Sequence, residues 1–127
     1  MATTRRSIDI DTFAHANPIP AASRVGPLVV SSIIPPFNAG ERKIPDDIQD
    51  CIRNIYLHMG KMLEAAGADW SHVAKITFYV SDISYREELN EQFVAHFPDA
   101  ASRPARYTAL SQGGPKVSAE FIAYVED

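Results

Sequence analysis

Apolar residues recur along this chain with two periods, and the periods divide it into elements. Between Pro45 and Gly67, Ile48, Ile52, Ile55, Met59, Met62, Leu63 and Ala66 return every three or four positions, the spacing of one buried helical face. Asp46 is the predicted N-cap, Asp47 and Asp50 lie near the positive end of the helix dipole, and Gly67 is a natural stop. In VAKITFYVS (73–81) the period changes to two. Ala74, Ile76, Phe78 and Val80 alternate there with Val73, Lys75, Thr77 and Tyr79, as in a half-buried strand. Upstream, LVVSSII (28–34) is an apolar, β-branched run suited to a buried strand. Val25-Gly26-Pro27 turns into it, and Pro35 and Pro36, which cannot donate to a ladder, end it. Ser84 and Glu87 have capping-box spacing ahead of a second helix with the stripe Tyr85, Leu89, Phe93 and Phe97. ARYTALS then reads as a strand, QGGP as a turn and KVSAEFIAYV as the last strand.

The predicted order is β-β-α-β-α-β-β, an α+β fold with one sheet and both helices on one face. A strand, a long helix and another strand imply a right-handed crossover. The strands LVVSSII and KVSAEFIAYV are apolar on both sides, yet two helices cover only one. Association of copies through the bare face is the expected solution.

Composition narrows the setting. A chain of 127 residues, 46% hydrophobic and 22% charged, is expected to form a single domain over 1–127 with a core of its own. Residues 1–17 are polar and are expected to be a loosely held, flexible arm. Twelve basic against sixteen acidic residues leave a net charge of −4. With no dense basic block, nucleic acid is not an expected partner. The one cysteine, Cys51, cannot form an internal disulfide, and its place beside the helical stripe reads as packing. MATTRRSIDIDTF has no apolar core of the signal-peptide kind and no run approaches the length of a membrane span. The expectation is a cytoplasmic protein with no membrane partner.

Two polar residues interrupt the final strands. Counting by twos puts Arg106, Thr108 and Leu110 on one face of ARYTALS, and Ser118, Glu120, Ile122 and Tyr124 on one face of the last strand. If those strands pair across QGGP, Arg106 and Glu120 stand in neighbouring parts of the sheet. A guanidinium is a bidentate receptor for a carboxylate, and a carboxylate can position a water or pass a proton. An Arg–Glu ion pair at a subunit seam fits the same spacing. Arg103, before Pro104, reads as solvated. Asn90 sits mid-helix, where its amide can serve a ligand or tie down a loop; Ser31 and Ser32 can meet a ligand or bond back to the sheet. His15, His58, His72 and His96 are scattered without metal-ligand spacing, so no metal is expected.

EAAGADWSHVAKITFYVSDI (64–83), the following REELNEQFVAHFP, RPAR and the terminal VSAEFIAYV together resemble the YjgF/RidA family of small trimeric proteins, from Asn17 to Val125. The resemblance implies a chorismate-mutase-like fold, in which three subunits pool their bare sheets into a central barrel with clefts between subunits. It implies hydrolysis of 2-imino or 2-enamino acids to a 2-keto acid and ammonia, without a cofactor. By the same resemblance Arg106 holds the substrate carboxylate, Glu120 helps to place the water, and Ser32 and Asn90 line the cleft. The sequence departs from the family pattern at three places. IPAAS lacks the family's Gly-Pro-Tyr, Ile33 stands where a glycine usually follows the strand serine, and Thr108 stands where cysteine is common. An isoleucine there reshapes the pocket floor. That keeps two alternatives in view: a non-catalytic trimer that binds small carboxylates or keto acids, and a specialised catabolic deaminase with a larger substrate.

Overall fold

The computed structural model describes residues 4–126. Its central helix, α1 (Ile48–Ala65), follows the apolar stripe, and Ile52, Ile55, Met59, Met62 and Leu63 are each at most 1% exposed. The cap is Asp47 and not Asp46: its carboxylate accepts from the Asp50 amide at 3.3 Å. Gly67 takes φ +78°, the left-handed conformation that ends a helix with least strain. Cys51 is fully buried in the first turn of α1, as its place beside the stripe predicts.

Six strands form one mixed sheet: β1 (Arg5–Ile8), β2 (Ala22–Val25), β3 (Leu28–Ser31), β4 (Val73–Val80), β5 (Ala105–Leu110) and β6 (Val117–Tyr124), in the spatial order β1-β2-β3-β6-β4-β5. Only β4 and β5 run parallel, and the chain crosses between them through α2 (Arg86–His96). From α1, Ile52, Ile55, Met59, Met62 and Leu63 form one core with Val29, Ile76, Phe78, Val80, Ala119, Phe121 and Ala123 of the sheet. At about 25 cal/mol per Å² of apolar surface, this shared core is the main stabilising contribution. The opposite face stays open, with Leu28, Val30, Ile122 and Tyr124 exposed along β3 and β6.

Several expectations change. The arm expected over 1–17 is anchored where it is described. Residues 5–8 form the edge strand β1 on β2, and Ile8 enters the core. An edge strand exposed on both faces needs no apolar alternation, so Arg5, Arg6 and Ser7 conceal it in the sequence. Farther on, the buried His58 ring bonds Thr12 Oγ1 at 2.8 Å and the Phe37 carbonyl at 2.7 Å, tying residue 12 to α1. Residues 1–3 of the expected arm lie outside the described residues.

The strand expected over 28–34 stops at Ser31. Ser32 and Ile33 leave the ladder, and Ile34 returns to bridge Ala119. Between Val30↔Ile122 and Ile34↔Ala119, three residues on this side face two on β6, so the segment bulges. A second irregularity between Val73 and Lys75 buries Val73 and exposes Ala74, which shifts the predicted alternation at the start of β4. The Ser84 capping box does not form. Asp82 caps a 3-10 turn over Ile83–Tyr85, and α2 follows without a side-chain cap.

Candidate active site

β5 and β6 do not pair across QGGP; β4 lies between them. Both strands are long-range partners of β4, and three-strand register is not visible in a loop sequence. The register decides the site. Arg106 stands beside Ile76, whose side chain is buried under the helices, whereas Glu120 stands beside Thr77, one residue on. Side chains alternate along a strand. Arg106 therefore lies on the helix side of the sheet and Glu120 on the open side.

The helix-side group is built by β5 and α2. The Arg106 Nη2 donates to Asn90 Oδ1 at 2.6 Å, and the guanidinium carbon lies 5.1 Å from the centre of the Phe93 ring. Asn90 and Phe93 are one turn apart on α2, so one helix face supplies both contacts. Partial burial, with Arg86 adding to it, draws the Arg106 pKa below the ordinary arginine value; a guanidinium stays charged regardless. Thr108 shares the Arg106 face of β5, in register with Phe78. The ion pairs among the described residues are Arg53–Asp50 and His72–Asp69, so Arg106 has no carboxylate partner among them. Tyr56, within electrostatic reach of Arg106, has its phenol pKa pushed up by burial.

The open-face group is built by β6, β4 and the bulge after β3. Val30, Ser31, Lys75, Thr77, Glu120 and Ile122 line a concavity of about 320 Å³. The Tyr79 hydroxyl donates to Glu120 Oε1 at 2.6 Å. Ser31 Oγ accepts from the Phe121 amide at 2.9 Å, and Ser32 Oγ donates to the Pro20 carbonyl at 2.8 Å. Both serines thus bond back to the backbone. Ile33 is 40% exposed at the crest of the bulge.

The structure therefore groups Arg106, Asn90 and Thr108 on the helix side and places Glu120 on the open side beside Ser31, while Ser32 turns to the Pro20 carbonyl and Ile33 stands exposed in the bulge. Within this chain the cation and the carboxylate thus face opposite sides of the sheet. Phe93 and Tyr79 are neighbours the sequence reading assigned only to an apolar stripe and a strand pattern. Tyr79 was within reach of that reading. It shares with Lys75 and Thr77 the polar side of β4, the side Glu120 takes once β4 and β6 pair.

Known proteins give the same fold. RidA from an Antarctic Psychrobacter is 26% identical, with a TM-score of 0.84 over 94% of this chain and 99% of that one. The chloroplastic Reactive Intermediate Deaminase A of Arabidopsis thaliana is 34% identical over 83 residues, 63% of this chain and 43% of that protein. The 2-iminobutanoate/2-iminopropanoate deaminase of Bos taurus is 29% identical over 87 residues, 67% of this chain and 63% of that protein. In both, the match spans less than two thirds of the relative's own length. The family model described as Endoribonuclease L-PSP matches residues 10–123, nearly all of the sheet and both helices, and the chain belongs to that family, which the YjgF/RidA proteins share.

Proposed function

We propose that this protein is a cofactor-independent hydrolytic deaminase of 2-imino or 2-enamino acids, working in clefts that two copies of the chain complete in a homotrimer. The observation that carries the reading is the state of Arg106. Its guanidinium is half-buried, aligned by Asn90 Oδ1 and the Phe93 ring, and without a carboxylate partner among the described residues. A planar fork held in this way is matched to a ligand carboxylate, with each charge-assisted contact worth about 1.5–3 kcal/mol. The names of two relatives, a Reactive Intermediate Deaminase A and a 2-iminobutanoate/2-iminopropanoate deaminase, support the same chemistry.

In this reading Arg106 holds the substrate carboxylate, with Asn90 and Thr108 beside it. Glu120 of a neighbouring copy, flanked by Ser32 and Ile33, takes a proton from water as the oxygen adds to the imine carbon. That proton passes to the imine nitrogen to give the carbinolamine; its hydroxyl proton then follows to the nitrogen by way of the same carboxylate, the carbon–nitrogen bond breaks as the carbonyl forms, and ammonia and a 2-keto acid leave. Water supplies the oxygen, and no electrons change hands. The opposite faces occupied by Arg106 and Glu120 make a second copy a requirement of this chemistry. The open face supplies the surface for it, with Leu28, Val30, Ile122 and Tyr124 available for burial.

Ile33 favours a second reading, a trimer that binds small carboxylates without hydrolysing them. Its exposed side chain stands beside the bulge that meets β6 next to Glu120, and there it can fill space an imine or its water needs. It equally suits a substrate larger than the smallest imino acids. Ammonia release from freshly generated imino acids, small to aromatic, separates these readings when run on wild type and Glu120→Gln. The deaminase reading expects release above the spontaneous rate, reduced roughly a hundredfold or more in Glu120→Gln. A wild type inert towards every imine, yet binding keto acids, would leave the binder.

A further inference from the structure

We propose that Tyr79 is a positioning residue for this reaction, holding the Glu120 carboxylate so that one oxygen alone faces the water. The inference rests on the deaminase reading. Its own ground is a contact that the fold does not otherwise need. Tyr79 lies on β4 opposite Ser118 of β6, one pair along from Thr77↔Glu120. From there its hydroxyl reaches diagonally to Glu120 Oε1 at 2.6 Å. That is a short, well-made O–H···O bond. The bond raises the Tyr79 phenol pKa above its ordinary value.

A glutamate has several rotatable bonds and two equivalent oxygens. On an open sheet face its carboxylate would sample many orientations, few of them useful to one water beside one carbon. The Tyr79 hydroxyl removes that freedom. It occupies Oε1 and leaves Oε2 to accept from the water. Tyr79 is itself half-buried and carried by a strand whose alternate residues, Ile76, Phe78 and Val80, are fixed in the core. The donor therefore moves little. Phenylalanine at this position would keep the ring packing and lose only the hydroxyl, which makes Tyr79→Phe a clean perturbation.

The test uses the full chain as wild type, Tyr79→Phe, Glu120→Gln and the double variant. Ammonia release from a freshly generated 2-imino acid gives kcat and KM, and calorimetry with a stable 2-keto acid gives ligand affinity. Tyr79→Phe should lower kcat about tenfold, less than removal of the Glu120 charge does, while KM and keto-acid affinity hold. In the double variant the hydroxyl has nothing left to position, so it should be no slower than Glu120→Gln alone. Ultraviolet titration of the tyrosines supplies a readout independent of turnover: Glu120→Gln should lower the ionisation pH of one phenol that Tyr79→Phe lacks. Full activity in Tyr79→Phe, or losses that multiply in the double variant, would overturn the role of Tyr79 while leaving the deaminase intact. An inert wild type, or a fully active Glu120→Gln, would instead overturn the deaminase reading and this inference with it.

Discussion

Replacing Arg106 by lysine keeps a positive charge and removes the geometry, so it asks what the arginine is for. In the structure the guanidinium spends one donor on Asn90 Oδ1 and lays its face over Phe93 at 5.1 Å. Its remaining N–H groups keep their fixed directions for a ligand. A lysine ammonium is a compact point charge on a flexible stem, and cannot make two parallel bonds to a carboxylate. Losing one charge-assisted bond of about 1.5–3 kcal/mol is partly offset by the charge that remains. We expect at least about 1.4 kcal/mol of lost binding, which is tenfold in Kd. Within the fold the substitution can lose the Phe93 contact, worth about 0.5–1 kcal/mol where water has access, while the lysine ammonium can still donate to Asn90 Oδ1. With no carboxylate partner among the described residues to be stranded, the melting temperature should change by only a few degrees. The assay is calorimetric titration with a small 2-keto acid beside thermal unfolding of both proteins. Unchanged affinity together with a large drop in melting temperature, or a broken oligomer, would refute the reasoning and make Arg106 a structural seam residue.

Two further outcomes test other levels of the structure. Light scattering at micromolar concentration should give a homotrimer, because the open face carries Leu28, Val30, Ile122 and Tyr124 in the exposed state; a monomer would remove the shared cleft. His58 is fully buried, and burial lowers its pKa below 6.5 while the Phe37 carbonyl bond partly opposes the shift. The unfolded chain therefore takes up the His58 proton first as pH falls. Its contribution to stability is full above about 6.5 and is lost as pH drops from there towards the folded value. Melting temperature should fall over that window in wild type, and His58→Gln should flatten that part of the profile.

What the sequence determined is what neighbours in the chain determine. The α1 stripe, its stop at Gly67, the alternation from Lys75 to Val80 and the packing of Cys51 all depend on residues within a few positions of one another. Periodicity reads such elements directly, because a helix or strand places its own side chains. The motifs around Arg106 and Glu120 are likewise contiguous words, and they can be read as residue types without any fold.

Pairing is a different matter. That β4 inserts between β5 and β6 follows from which apolar faces bury best together, a property of the assembled core. The sequence could place Arg106 and Glu120 on strand faces, but the side of the sheet each face takes depends on register with β4. A shift of one residue in that register would move either group to the other side. The edge strand β1 was hidden for a related reason: its ladder to β2 uses backbone groups, which are the same in every residue. The Tyr79–Glu120 contact joins positions 41 residues apart. Only the folded sheet, by closing that distance to 2.6 Å, turns two scattered side chains into one oriented carboxylate.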